Sequence, residues 1–176
     1  MDRIYLDHNA TTPLEPRVLE AMHPWLAGAF GNASSLHWYG QSARAAVDAA
    51  RGHVAALVGA SAAEIVLTSG GTEADNLALR GVAAAARPAR RKLVVSAVEH
   101  PAVLNTAKAL GREGFALTVL SVDAAGRLDL EALRGQVDET TALVSVMLAN
   151  NETGVLQPVA EAAALAHARG ALLHCD

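Results

Sequence analysis

The apolar residues of this chain fall into two alternating rhythms. Short runs that are apolar at nearly every position occupy residues 93–97, 117–122, 142–148 and 171–175. Such runs predict strands buried on both faces. Longer stretches, with apolar residues recurring every three or four positions, lie at 42–58, 73–86, 102–112, 130–137 and 159–169 and predict helices. Gly59 stops the first of these helices and Pro88 closes the second.

A further apolar run at 64–68 breaks at Ser69-Gly70-Gly71 before the helical period resumes, so it predicts strand, tight turn and helix. At the N-terminus, Ile4-Tyr5-Leu6 predicts a brief extended piece that ends in a polar turn over 7–13. Pro16 suits a first helical turn, and Val18, Leu19, Met22 and Trp25 share one face of a helix that Pro24 and Gly28 are expected to end. Residues 31–40 have turn formers at both ends and no sustained period, and predict a loop rich in polar and aromatic side chains. Strands separated by helices give the fold class α/β, a mostly parallel sheet with helices on both faces. There is no repeat, low-complexity tract or flexible linker.

Composition narrows the picture. A chain of 176 residues is long enough for one domain with a sizeable core. With 52% hydrophobic but only 3% aromatic residues, and abundant alanine, it predicts a helix-rich body with small residues at its contacts. The formal net charge is -4, from 14 basic and 18 acidic residues mixed along the chain, which points to neither a nucleic-acid nor a membrane surface. One cysteine, Cys175, excludes an internal disulfide framework and a multi-cysteine metal site. No signal peptide and no apolar run of membrane-spanning length is visible, so a reducing, cytoplasmic setting is expected.

Ligands of open α/β sheets bind beyond the carboxyl ends of the strands, so the residues after each apolar run carry the chemistry. They are Thr68-Ser69-Gly70-Gly71-Thr72, Glu99-His100-Pro101, Asn150-Asn151-Glu152-Thr153-Gly154 and His174-Cys175-Asp176. At the first, a helix start leaves N–H groups without partners and turns the positive end of its dipole to one spot, which suits an anion. Gly70 and Gly71 let the backbone come close, and Thr72 adds a hydroxyl. Neither a Walker A ending nor a dinucleotide glycine spacing is present. Each place also has a plainer reading: an ordinary turn, His100 as a helix cap, Asn150-Asn151 as turn formers, Asp176 as a solvated carboxylate. His37, beside Trp38 and Tyr39, reads as packing or partner contact. Cys175 reads as a small core residue, pointing away from the face that His174 and Asp176 share.

Six segments together carry a resemblance: 5–13 (YLDHNATTP), 31–37 (GNASSLH), 68–76 (TSGGTEADN), 99–103 (EHPAV), 150–154 (NNETG) and 174–176 (HCD). In order and spacing they resemble the cysteine desulfurases of the class V aminotransferase family. Departures are small: Ala33 stands where proline is common, and Cys175 where an aliphatic residue is usual. The resemblance implies a pyridoxal 5'-phosphate-dependent transferase of fold type I, homodimeric, with residues 1–14 as an arm belonging to an absent small domain and 15–176 as an incomplete large domain. It implies that Gly71 and Thr72 hold the cofactor phosphate, that His100 stacks on the ring and moves protons, that Asn151 bonds the phenolic oxygen, and that Asp176 pairs with the pyridine nitrogen. The implied whole enzyme converts L-cysteine to L-alanine and passes sulfur to an enzyme cysteine, for iron-sulfur cluster assembly or other transfer to acceptor or scaffold proteins.

The Schiff-base lysine, the sulfur-carrying cysteine and the substrate-binding arginine of that family would follow residue 176, and Lys92 and Lys108 do not stand at the motif. The chain alone is therefore expected to be inactive. A selenocysteine lyase, another class V transaminase, and a non-catalytic remnant or interaction fragment are the competing expectations.

Overall fold

The computed structural model describes residues 3–86 and 88–176, so Met1 and Asp2 of the N-terminal stretch lie outside the described residues. Two units divide the chain, Met1–Leu67 and Thr68–Asp176.

In the first unit, helix α1 spans Pro16–Ala27 and α2 spans Trp38–Val58, and a single 3-10 turn follows at Ala62–Glu64. Pro24 does not end α1 as expected: the helix runs through it, and the Pro24 carbonyl still accepts from the N–H of Gly28 at 3.1 Å. Proline lacks only its own donor and leaves its acceptor available to the next turn. The expected loop over 31–40 is shorter, because α2 begins at Trp38 rather than 42. His37 caps it, its Nδ1 accepting from the N–H of Gly40 at 3.4 Å. Gly40 is there for room: a Cβ would stand 2.3 Å from the Ser35 carbonyl oxygen and 2.7 Å from that of Asn32. Gly59 ends α2 in a left-handed conformation at φ 70, as its position predicts.

The expected strand at 64–68 does not form. After the 3-10 turn, which a reciprocal Ser61–Glu64 capping box secures, the chain runs on extended without ladder bonds, and Val66 and Leu67 are exposed. A strand is defined by a paired neighbour, and no described strand lies beside this one.

In the second unit, α3 (Gly71–Ala85) precedes four strands, β1 (Lys92–Ser96), β2 (Ala116–Leu120), β3 (Thr141–Ser145) and β4 (Leu172–His174). Helices α4 (Pro101–Arg112), α5 (Leu130–Gln136) and α6 (Val159–Ala168) connect them in turn. All pairings are parallel, in the order β2-β1-β3-β4. Alternation along the strands builds two cores. Leu93, Val95 and Leu143 pack with Leu79 of α3 and Val103, Ala107 and Leu110 of α4. Val94, Val144 and Val146 pack on the other side with Leu133 of α5 and Ala162 and Ala166 of α6. Helices thus cover both faces, and buried alanines allow their close approach, as the composition predicts.

Chain order reverses between β1 and β3, since β1 leads outward to β2 and the chain returns to the other side of β1 for β3. At such a reversal the connections leave in opposite directions and open a crevice at the carboxyl ends. The amino ends are tied down by cations instead. Arg90 Nη1 donates to the Thr141 carbonyl at 2.7 Å, Arg90 Nη2 to that of Arg169 at 2.9 Å, and Lys92 pairs with Asp138 at 3.0 Å. No helix among the described residues is long and apolar enough to cross a membrane.

Candidate functional site

The carboxyl ends of β1, β3 and β4 and the first turns of α3 and α4 meet in one polar region. Gly71 and Thr72 are the first two residues of α3, because the helix starts two positions earlier than the expected 73. The cap residue Gly70 offers no side-chain acceptor to this turn. Glu73 turns away and accepts from the Ser69 N–H at 2.8 Å and from its hydroxyl, which together hold the Glu73 carboxyl below its ordinary range. A Cβ at Gly70 or Gly71 would meet no atom of the chain within 4 Å. Space therefore stands open beside the donors of a helix start, the arrangement an anion needs.

His100 caps α4, its Nδ1 accepting from the Ala102 N–H at 3.1 Å, with Pro101 fixing the first helical residue. The cap reading and the site reading both hold, since this bond leaves Nε2 for other use. His100 borders two cavities. One, about 430 Å³, is shared with Thr72, Asn76 and Arg80. The other, about 510 Å³, is shared with Glu99, Asn150 and Asn151. The adjacent asparagines, which sequence leaves hard to separate, divide their work. Asn150 Oδ1 accepts from Glu152 N–H at 3.1 Å and from Thr153 N–H at 2.9 Å, while its Nδ2 donates to the Val98 carbonyl at 3.2 Å. Asn150 holds the loop, and Asn151 is exposed beside the cavity.

Asp176 follows β4, and its carbonyl accepts from Leu148 N–H at 2.9 Å, extending the β3–β4 pairing past the strand. Polar side-chain atoms of Asp176, His100 and Asp75 lie within 4.8 Å of one another. Carboxylate, imidazole and helix start thus share one edge of the sheet. Cys175 departs from expectation: it is exposed, not a core residue, because the alternation of an extended chain turns it to a face where nothing described covers it. Burial of part of its surface, then Glu99 and Asp176, pushes its thiol above the ordinary range, which makes it a poor nucleophile.

Two buried acids lie within the sequence motifs but were given no role there. Glu99, 4% exposed, accepts from Ser96 Oγ at 2.6 Å, Met147 N–H at 2.7 Å and Ser145 Oγ at 3.3 Å. Burial raises its pKa, and these bonds oppose the rise. Asp75, also 4% exposed, faces His174 Nε2 at 3.4 Å. Burial first and then Asp176 raise its pKa, against the pull of His174 and His100. The signal for Asp75 was its place one helical turn after Thr72, on the same face of α3.

The residues present suit pyridoxal phosphate: an open helix start for the phosphate, a carboxylate for a protonated ring nitrogen, and an imidazole between them. The sequence profile of the family described as Aminotransferase class-V matches residues 4–176. A protein of Anaeromyxobacter sp. (strain Fw109-5) named cysteine desulfurase IscS is 53% identical over 98% of this chain and 43% of its own length. A putative cysteine desulfurase IscS 1 of Bacillus subtilis (strain 168) is 46% identical over all of this chain and 46% of its own length. Among solved structures, a NifS-like protein superposes with a TM-score of 0.95 at 40% identity, over 99% of this chain and 48% of that one. DndA from Streptomyces lividans does so with a TM-score of 0.85 at 42% identity, over 98% of this chain and 49% of that one. The chain spans a little under half the length of these relatives. A profile match over almost the whole chain, relatives near half identity and this arrangement of strand ends agree that the chain belongs to the class-V aminotransferase family.

Proposed function

We propose that this chain forms the N-terminal part of a pyridoxal phosphate-dependent cysteine desulfurase and supplies most of its cofactor clamp. The observation that carries the reading is the meeting of His100 and Asp176 within 4.8 Å, on a sheet edge that also presents the open start of α3. Thr72 and the N–H groups of Gly71 and its neighbours would hold the phosphate. Asp176 would hold a proton at the ring nitrogen, His100 would lie against the ring with Nε2 available to move a proton, and Asn151 would bond the phenolic oxygen. When bound, pyridoxal phosphate supplies a pyridinium ring that withdraws electrons from the substrate carbon.

L-cysteine as substrate, rather than selenocysteine or a transaminase substrate, is favoured by the names of the relatives. The family resemblance extends the proposal to the whole protein as a cytoplasmic homodimer that passes sulfur to acceptor or scaffold proteins. Residues 1–14 act as an arm for a small domain, with 15–176 as the large domain. Exposed Ile4 and Leu6, in a segment free of helix and strand, support the arm. Neither lysine of this chain suits covalent attachment to the cofactor. Lys92 is engaged with Asp138 at the amino end of β1, opposite the clamp, and Lys108 is exposed on α4.

Titration of the chain with pyridoxal phosphate, followed by fluorescence, should show saturable binding that Thr72→Ala and Asp176→Ala weaken. Alanine release from L-cysteine should be undetectable. Absence of binding would leave a non-catalytic remnant as the better reading, and robust alanine release would overturn the division of labour proposed here.

A further inference from the structure

A hydrogen-bonded row of buried side chains runs behind the clamp, from β1 across β3 to β4 and α3. The register sets it up, placing Ser145 of β3 opposite His174 of β4. When Glu99 is ionised the Ser145 hydroxyl donates its one proton to it at 3.3 Å, and its oxygen then accepts from His174 Nδ1, 2.8 Å away. In that state Nδ1 carries the hydrogen. On the far side of the ring, Nε2 faces Asp75 Oδ1 at 3.4 Å.

We propose that Asp75 is a positioning residue: by holding His174 from the far side of its ring, it sets where the Asp176 carboxylate stands, two residues further on. The inference rests on the pyridoxal phosphate reading and deepens it. Two like charges this close repel, and a carboxylate that shares its proton with a neighbour is a poor partner for a pyridinium. Pairing Asp75 with His174 removes that competition. It also fixes a length. Thr72 and Asp75 are one turn apart on α3, so the helix ties the phosphate end of the clamp to its ring-nitrogen end. The raised pKa of Asp75 agrees with a carboxyl that can share a proton.

The test compares binding of pyridoxal phosphate with that of its analogue in which the ring nitrogen is replaced by carbon. In the unaltered chain the nitrogen-bearing ligand should bind tighter by about tenfold or more, the worth of a charge-assisted hydrogen bond. Asp176→Ala should abolish that preference. Asp75→Ala should cut most of it while leaving affinity for the carbon analogue nearly unchanged, and Asp75→Asn, whose amide can still bond His174, should retain it. Where Asp75→Ala lowers the helical circular dichroism signal, Asp75→Leu repeats the test with the volume filled.

Equal weakening of both ligands by the Asp75 variants would mean a merely structural role and would overturn the inference. So would a preference that survives loss of Asp75 while Asp176→Ala removes it, leaving the cofactor reading intact. A preference absent from the unaltered chain, or untouched by Asp176→Ala, would sink the cofactor reading and this inference with it.

Discussion

Replacing Glu99 by alanine removes the acceptor on which three strand-end groups converge. Ser96 Oγ, Met147 N–H and Ser145 Oγ all donate to its two oxygens, and no described buried side-chain polar atom lacks a partner. A buried donor left without an acceptor costs about 1–3 kcal/mol. The hydroxyls can turn and a water can enter the vacated volume, so three donors should cost about 3 kcal/mol or more, a large part of the roughly 5–15 kcal/mol that holds a domain together.

Glutamine isolates charge from shape. Its carbonyl oxygen can take Ser96 and Met147, while its amide donates to Ser145, whose proton then turns to His174 Nδ1 and reverses the tautomer behind the clamp. Glu99→Gln should therefore stay within about 1 kcal/mol of the unaltered chain near neutral pH.

The pH dependence has a definite sign. Burial raises the Glu99 pKa above its ordinary 4.5, so in the window above 4.5 the folded state binds more proton than the unfolded one. Stability contributed by Glu99 is full below that window and is lost as pH rises through the folded pKa. The unaltered chain should lose stability relative to Glu99→Gln as pH climbs. Urea unfolding at several pH values, read by circular dichroism, checks both points. A loss under about 1 kcal/mol in Glu99→Ala, or a gap to Glu99→Gln that moves the other way with pH, would refute the reasoning.

Leu79→Ala tests the packing that fixes α3 and with it Thr72 and Asp75. Leu79 is fully buried against β1 and α4, so the cavity should cost about 2–5 kcal/mol in urea unfolding. The two asparagines should separate cleanly. Asn151→Ala should weaken pyridoxal phosphate binding several-fold and leave the melting temperature within a degree or two, on the order expected of an exposed side chain. Asn150→Ala should lower thermal stability and speed proteolysis of the 150–154 loop, because it strips an acceptor from Thr153 and Glu152.

The acids of the second unit follow a pattern that bears on these tests. Those at the amino ends of the strands, such as Asp138, have pKa values held low by hydroxyl and lysine partners and serve to anchor. At the carboxyl ends Asp75 and Glu99 are pushed upward by burial, while exposed Glu73 is held low by Ser69.

Sequence by itself determined the class of fold and the residues at the strand ends. Apolar runs at 93–97, 117–122, 142–148 and 171–175 mark β1 to β4 because a strand covered on both faces must be apolar at almost every position. Thr72, His100, Asn151 and Asp176 could be proposed from sequence because they lie in or border the segments beyond the strands' carboxyl ends. The run at 64–68 shows the limit: its pattern suits a strand, but pairing is a property of two segments, and the described residues give it no partner. Trp38–Gly40 joined α2 rather than the loop because Gly40 had to pack against Asn32 and Ser35, a close approach that no periodicity records.

Tertiary structure alone decided the inner row of Glu99, Ser145, His174 and Asp75. These residues are spread over three elements and the β1–α4 connection, and only the β1–β3–β4 register brings them together. A buried acid is intelligible only beside its donors, so nothing in the local sequence of Asp75 or Glu99 could announce what each would meet. The residues proposed for the clamp lie where the order of the chain already marks strand ends, whereas the row behind them depends on which strands became neighbours.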